Sequence, residues 1–141
     1  MTDQLSPERR SNNMRRIRSR DTIPEMAVRR RLHGLGYRYR LHARDLPGHP
    51  DIVFRRRRKV VFVHGCFWHQ HAGCREGRIP GSNTEYWTGK LARTVERDRQ
   101  AVVNLHQLGF ETLTVWECHV AKADVLKARL TEFLGPAAQS G

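Results

Sequence analysis

The chain has 141 residues, a formal net charge of +12 at pH 7, a sequence pI of about 10.9 and a mean hydropathy of −0.68. That length suits one domain around a single core. No apolar run approaches the roughly 20 residues that span a bilayer, and the opening MTDQLSPERR lacks the apolar stretch of a signal peptide, so the reading is a cytoplasmic protein with no membrane partner.

Such a charge suits a nucleic-acid binder, because Lys and Arg neutralise phosphates and release counterions. A generally Arg-rich surface would also raise the pI, but the cations cluster: Arg9, Arg10, Arg15, Arg16, Arg18 and Arg20 crowd the N-terminal segment, and Arg55 to Lys59 are five in a row. The cysteines, Cys66, Cys74 and Cys118, are odd in number, which argues against a disulfide framework and, beside eight histidines, for metal binding.

In chain order, Ser6-Pro7-Glu8 starts a short basic helix to about Arg18, with Met14 and Ile17 its only sizeable apolar residues. A helix this polar buries little and is read as docking on a partner. Asp21-Thr22 with Pro24-Glu25 starts a second helix that runs to about Leu35, with Glu25, Val28, Leu32 and Leu35 on one stripe, so that Glu25 points inward. Tyr37–Leu41 reads as a strand, Leu46–Pro50 as a turn, and Asp51–Phe54 with Lys59–Val63 as a hairpin. After a loop over 75–83, a long helix runs from Asn83 or Thr84 to about Leu108. Its apolar stripe is Trp87, Leu91, Val95, Val102 and Leu105, with Asp98 a second inward carboxylate. Phe110–Trp116 is a strand, Val120–Leu134 a last amphipathic helix, and the tail from residue 136 is read as disordered. This order predicts an α/β fold with a mixed sheet flanked by helices, in a body over 21–135 preceded by the basic segment 1–20.

Three groups of residues carry chemistry. Cys66, His71 and Cys74, spaced C-x4-H-x2-C, with Cys118 beyond a strand end, make the Cys3His set of structural zinc. His64 and His69 are also near enough to supply the imidazole, and small buried cysteines are the alternative. Asp51, opening a strand after Pro50, and Glu25 form an acidic pair of the kind that holds Mg²⁺ against a phosphate in PD-(D/E)xK nucleases. The D/E-x-K of the second strand is replaced by Val61-Phe62-Val63-His64, where a backbone carbonyl can serve as an oxygen ligand and His64 and His69 stand where the lysine would. Phe67-Trp68 and Tyr86-Trp87 are adjacent aromatics able either to wedge between bases or to pack in the core.

The chain resembles the very-short-patch-repair (Vsr) DNA mismatch endonucleases from about Arg10 to Leu134. The likeness is carried by SNNMRRIRSRDTIPE at 11–25, LPGHPDIVF at 46–54, VFVHGCFWH at 61–69, TEYW at 84–87, VERDR at 95–99 and TVWEC at 114–118. The resemblance implies a restriction-endonuclease-like fold with a structural zinc, and nicking of duplex DNA 5′ to the thymine of a T·G mismatch left by deaminated 5-methylcytosine. It implies that Asp51 and the carbonyl of Val63 bind the catalytic Mg²⁺, with Glu25 acting through water. His69 is then the general base, Asp98 orients it, and His64 contacts the reacting phosphate. Phe67, Trp68 and Trp87 match the aromatics inserted beside the mismatch, with Met14 entering from the opposite groove. Arg15, Arg16, Lys90 and Thr94 are further candidate DNA contacts. Val63 and Thr94 stand where the family often has Thr and Asn. The implied partners are mismatched duplex DNA, mismatch-repair proteins and a companion cytosine methyltransferase, and a monomer suffices to nick one strand. A nickase for a different mispair or context, and a zinc-stabilised DNA-binding module without catalysis, are the alternatives.

Overall fold

A computed structural model describes residues 22–74 and 78–137. The expected first helix, with Met14, Arg15 and Arg16, lies outside these residues. In chain order the elements are α1 (Ile23–Gly34), β1 (Arg40–Leu41), β2 (Ile52–Phe54), β3 (Lys59–His64), α2 (Thr84–Gln107), β4 (Glu111–Trp116), α3 (Glu117–Val120) and α4 (Ala123–Leu134).

The four strands form one sheet in the order β1-β2-β3-β4. The first two pairings are antiparallel; β3 and β4 are parallel, joined by the long α2 crossover, so the sheet is mixed. β2 and β3 are nearly continuous apolar runs because both faces are covered. Ile52, Phe54 and Val61 face a core closed by Val28 and Leu32 of α1 and by Leu126, Leu130 and Leu134 of α4. The alternate residues Val53, Val60 and Phe62 face a second core with Ala101 and Leu105 of α2 and Phe110. The same alternation carries Asp51 and His64, at the strand ends, toward α2.

α1 begins as expected: Thr22 Oγ1 accepts from the Glu25 N–H at 3.2 Å, and Glu25, Val28 and Leu32 are buried. Three expected elements differ. The strand expected over 37–41 shrinks to Arg40–Leu41, with Tyr37 buried in the core rather than paired. The final helix divides into α3 and α4, whose cap residue is Lys122. On α2 the buried residues are Leu91, Thr94, Ala101 and Leu105, whereas Val95 is 41% exposed. The cause is close packing: the loop at Gly48 lies so near α2 that a methyl there would sit 2.6 Å from the Ala101 Cβ. At that contact a small residue, Ala101, therefore faces the sheet rather than a valine.

The run Arg55–Lys59 also departs from its reading as nucleic-acid charge. Arg55 pairs with Asp45 at 2.8 Å. Arg57 donates to the carbonyls of Leu134 and Pro136 at 2.5 and 3.0 Å, placing the start of the expected tail; residues 138–141 lie outside the description. Arg58 donates to the Leu108 carbonyl at 2.5 Å, and Lys59 to that of Phe133 at 2.6 Å. The last carbonyls of a helix lack internal partners and carry partial negative charge, so these cations close the C-termini of α2 and α4.

Gly48 supplies the test of this packing. Its φ is 75°, and an added Cβ would also lie 3.2 Å from the Phe62 ring. Gly48→Ala is expected to lower stability by about 2–3 kcal/mol, from overpacking and a left-handed backbone. Urea unfolding measures it; an unchanged midpoint would mean that the loop does not press on α2.

Candidate active site and metal centres

The site forms where β2 begins and β3 ends. A cleft of about 830 Å³ opens there between the sheet and α2, lined among others by Asp51, Val63, His64, His69, Thr94 and Asp98. Asp51 Oδ2 accepts from the Val63 N–H at 2.7 Å, across the end of the hairpin. Glu25 reaches the same corner from α1, and donor atoms of Glu25, His42 and Asp51 lie within 4.8 Å of one another. Burial raises the Asp51 carboxyl to about 7; the Val63 N–H opposes the rise and the charge of Glu25 adds to it. Two close, poorly hydrated carboxylates fit a hard divalent cation bound through oxygen.

Beside them His69 Nδ1 lies 2.6 Å from Asp98 Oδ2. An ionised carboxylate only accepts, so Nδ1 carries the hydrogen and Nε2 keeps its lone pair. The His64 ring stacks on that of His69, with centroids 3.7 Å apart and planes 8° from parallel. Burial above all, and then His69, pushes the His64 pKa down to about 3, so His64 is neutral at physiological pH.

The loop after β3 gathers Cys66, His71 and Cys74, and Cys118 comes from α3; their donor atoms all lie within 4.8 Å. The imidazole of this cluster is that of His71, not of His64 or His69: its Nδ1 lies 3.7 Å from Cys66 Sγ and 3.5 Å from Cys118 Sγ. A tetrahedral ion with Zn–S of about 2.3 Å and Zn–N of about 2.0 Å sets sulfur and nitrogen about 3.5 Å apart, so the donors fit a closed metal site. Burial pushes the Cys66 thiol up to about 12, with the Cys74 and Cys118 thiols adding to the rise; a cation supplies the charge that lets such thiols ionise.

Phe67, Trp68 and Trp87 pack edge to face or tilted against one another, with centroids 5.0–5.8 Å apart, and all three are half-buried. Thr94 is buried and its hydroxyl returns to the Lys90 carbonyl at 3.3 Å. Two residues in these sites were given no role from sequence. Trp116 stacks on His71 at 4.3 Å and meets His64 edge-on at 5.4 Å; its only signal was its place two residues before Cys118. His42 gave none, since its place follows from strand register.

A mixed sheet covered on both faces, with acidic residues at the strand ends beside a helix-borne cleft, is the restriction-endonuclease-like PD-(D/E)xK fold of nucleases. Residues 2–75 match the family model described as DNA mismatch endonuclease Vsr. The chain is 51% identical over 136 residues to type II nicking enzyme V.XorIIP of Xanthomonas oryzae pv. oryzae, covering 96% of this chain and 99% of that protein. It is 43% identical over 118 residues to DNA mismatch endonuclease Vsr of Escherichia coli, covering 84% and 75%. To type II nicking enzyme V.NmeAIP of Neisseria meningitidis serogroup A it is 40% identical over 134 residues, 95% of each chain. The chain belongs to the Vsr DNA mismatch endonuclease family.

The raised Asp51 carboxyl has a thermodynamic consequence. Asp51 keeps its proton to higher pH in the fold than in the unfolded chain, so its contribution to stability is full near pH 4 and is lost as pH rises to about 7. Asp51→Asn keeps an acceptor for Val63 and cannot ionise. It should match wild type near pH 4 and gain on it by up to about 1.4 kcal/mol per pH unit until about pH 7. Urea unfolding across this range in magnesium-free buffer checks the trend; a constant gap would contradict it.

Proposed function

We propose that this protein nicks one strand of duplex DNA on the 5′ side of the thymine in a T·G mismatch, by Mg²⁺-dependent phosphodiester hydrolysis, and so starts repair of deaminated 5-methylcytosine. The observation that carries the reading is one cleft holding the Asp51 carboxylate, with Glu25 beside it from α1, together with a His69–Asp98 pair joined at 2.6 Å. A protein that only binds DNA has no use for that arrangement.

Asp51 and the Val63 carbonyl would hold Mg²⁺ directly, and Glu25 through water. When bound, the ion supplies charge neutralisation and polarisation of the scissile phosphate. His69 Nε2 takes the proton from the attacking water, while Asp98 keeps Nδ1 protonated and steadies the imidazolium that forms. His64, neutral by burial, places no second positive charge against that imidazolium and contacts the reacting phosphate by hydrogen bonding.

The Cys66, His71, Cys74 and Cys118 cluster would hold a structural zinc. Phe67, Trp68 and Trp87 would separate from one another to enter the DNA beside the mismatch, where unstacking costs least. Met14, Arg15, Arg16, Lys90 and Thr94 would complete the contact. A monomer acting in the cytoplasm satisfies this chemistry, with mismatch-repair proteins and a cytosine methyltransferase as functional companions.

One observation favours a variant reading. Thr94 is buried in the cleft and its hydroxyl is engaged with its own helix, which leaves room for a different mispair or flanking context. End-labelled duplexes bearing T·G, U·G, A·C or no mismatch, incubated with Mg²⁺, separate the two. Nicking of the thymine strand in T·G alone is expected, with Asp51→Ala reducing the rate at least about 100-fold. Preference for another mispair would favour the variant reading, and cutting of matched DNA would overturn both.

Metal analysis after extensive dialysis should find about one zinc per chain, and Cys118→Ser should lower that content and loosen the loop to proteolysis. No zinc in the wild-type protein would overturn the assignment.

A further inference from the structure

His42 has no part in the mechanism above, yet the fold sets it against the acidic corner. The register that pairs Leu41 with Ile52 brings His42 opposite Asp51, and its N–H donates to the Asp51 carbonyl at 3.0 Å. Its φ is 48°, a left-handed conformation that costs an L-residue roughly 1–2 kcal/mol. That cost is borne at the end of β1, where His42 Nε2 lies 2.7 Å from Glu25 Oε2. The Glu25 side chain is 2% exposed, and that of His42 19%. Because an ionised carboxylate only accepts, Nε2 carries the hydrogen. Arg29 reaches the same Glu25 oxygen from farther away, at 3.4 Å.

We propose that His42 is a positioning residue of the divalent-cation site, its Nε2–H holding Glu25 so that this carboxylate faces the space beside Asp51. The physical need is plain. Glu25 has three side-chain torsions, and its charge repels that of Asp51 across a gap under 4.8 Å. Unheld, it favours rotamers that take it away from Asp51, and an arriving cation must then restore the alignment. A hydrogen bond from a short, stiff imidazole holds it in place beforehand, at the expense of one strained backbone angle. The inference rests on the proposal that Asp51 and Glu25 bind the cation.

The test uses the full chain and Mn²⁺ as the probe, with affinity read by titration calorimetry and by the loss of the free-ion paramagnetic resonance signal. His42→Asn suits the left-handed backbone but does not reach Glu25, and His42→Gly removes the imidazole with the strain. Both should weaken Mn²⁺ binding about 10–100-fold. His42→Gln, whose terminal amide takes the place of Nε2, should restore binding to within about threefold. Zinc content should match wild type, and urea unfolding should show that each metal-free variant is folded under the conditions of the titration. Wild-type Mn²⁺ affinity in the Asn and Gly variants, with binding abolished by Asp51→Ala, would overturn the role of His42 and leave the nuclease site standing. Binding that survives Asp51→Ala, or no binding by the wild-type protein, would overturn the cation site itself and the inference with it.

Discussion

The hydrogen bond from the Val63 N–H to Asp51 Oδ2, 2.7 Å long, holds together the end of the sheet where the acidic corner forms. β2 and β3 are covered on both faces, so a carboxylate at their edge is poorly hydrated and needs a donor from the protein. The backbone of β3 provides one, and this ties the residue just before β2 to the end of β3. The position of Val63 beside Asp51 follows, and so does that of His64, one residue further on, facing α2 with Asp51. A single N–H does not satisfy a carboxylate, however. Burial still raises the Asp51 carboxyl, and Glu25 raises it further. The corner thus keeps an electrostatic deficit that a bound cation would remove, which is the physical basis for reading it as a metal site.

Beyond His64 the backbone leaves the sheet and becomes irregular. Within ten residues it carries the aromatics Phe67 and Trp68, the histidine paired to Asp98, and three members of the Cys/His cluster. Turn hydrogen bonds, such as His69 N–H to the Gly65 carbonyl at 3.1 Å and His71 N–H to that of Cys66 at 2.9 Å, shape the loop but bury little. Besides the His69–Asp98 pair, its long-range anchors are the ring of Trp116 at the end of β4 and the thiol of Cys118 on α3. Trp116 lies flat on His71 and edge-on to His64, so the cluster and His64 share one packed neighbour. A disturbance at the cluster would therefore reach the chemistry through a packed ring as well as through the chain.

Much of this was legible in the sequence where the signal was local. The Thr22 cap, the Val28 and Leu32 stripe, the hairpin and the C-x4-H-x2-C spacing each depend on residues close along the chain, and each lies where expected. What was misjudged depends on distant neighbours. Val95 and Val102 lost the buried face of α2 to Thr94 and Ala101, and a loop about fifty residues earlier presses on Ala101 through Gly48. The five-cation run looked like a phosphate-binding patch because charge alone does not reveal partners; four of its members close helix ends or pair with acids. His42 was silent because nothing beside it in sequence is acidic. Only the pairing of β1 with β2 brings Glu25 and Asp51 to it.

Three histidines in eight residues could in principle be interchangeable ligands, and their partners are what prevent it. His71 turns Nδ1 toward two sulfurs, soft donors that suit zinc better than magnesium. His69 has its Nδ1 committed to Asp98, which leaves one basic nitrogen facing a cleft lined by carboxylates. His64 is sealed between His69, Phe62 and Trp116 and stays neutral, able to exchange a hydrogen bond but not to hold a charge. The oxygen donors, Asp51 and Glu25, stand apart from the sulfurs on different strands and helices. Hard and soft donors are thereby sorted into two places, and in the proposed mechanism the imidazole between them is kept for proton transfer by the carboxylate that claims its other nitrogen. In the proposed mechanism, losing Asp98 would therefore do more than misalign a base: it would release a histidine into the neighbourhood of two metal sites.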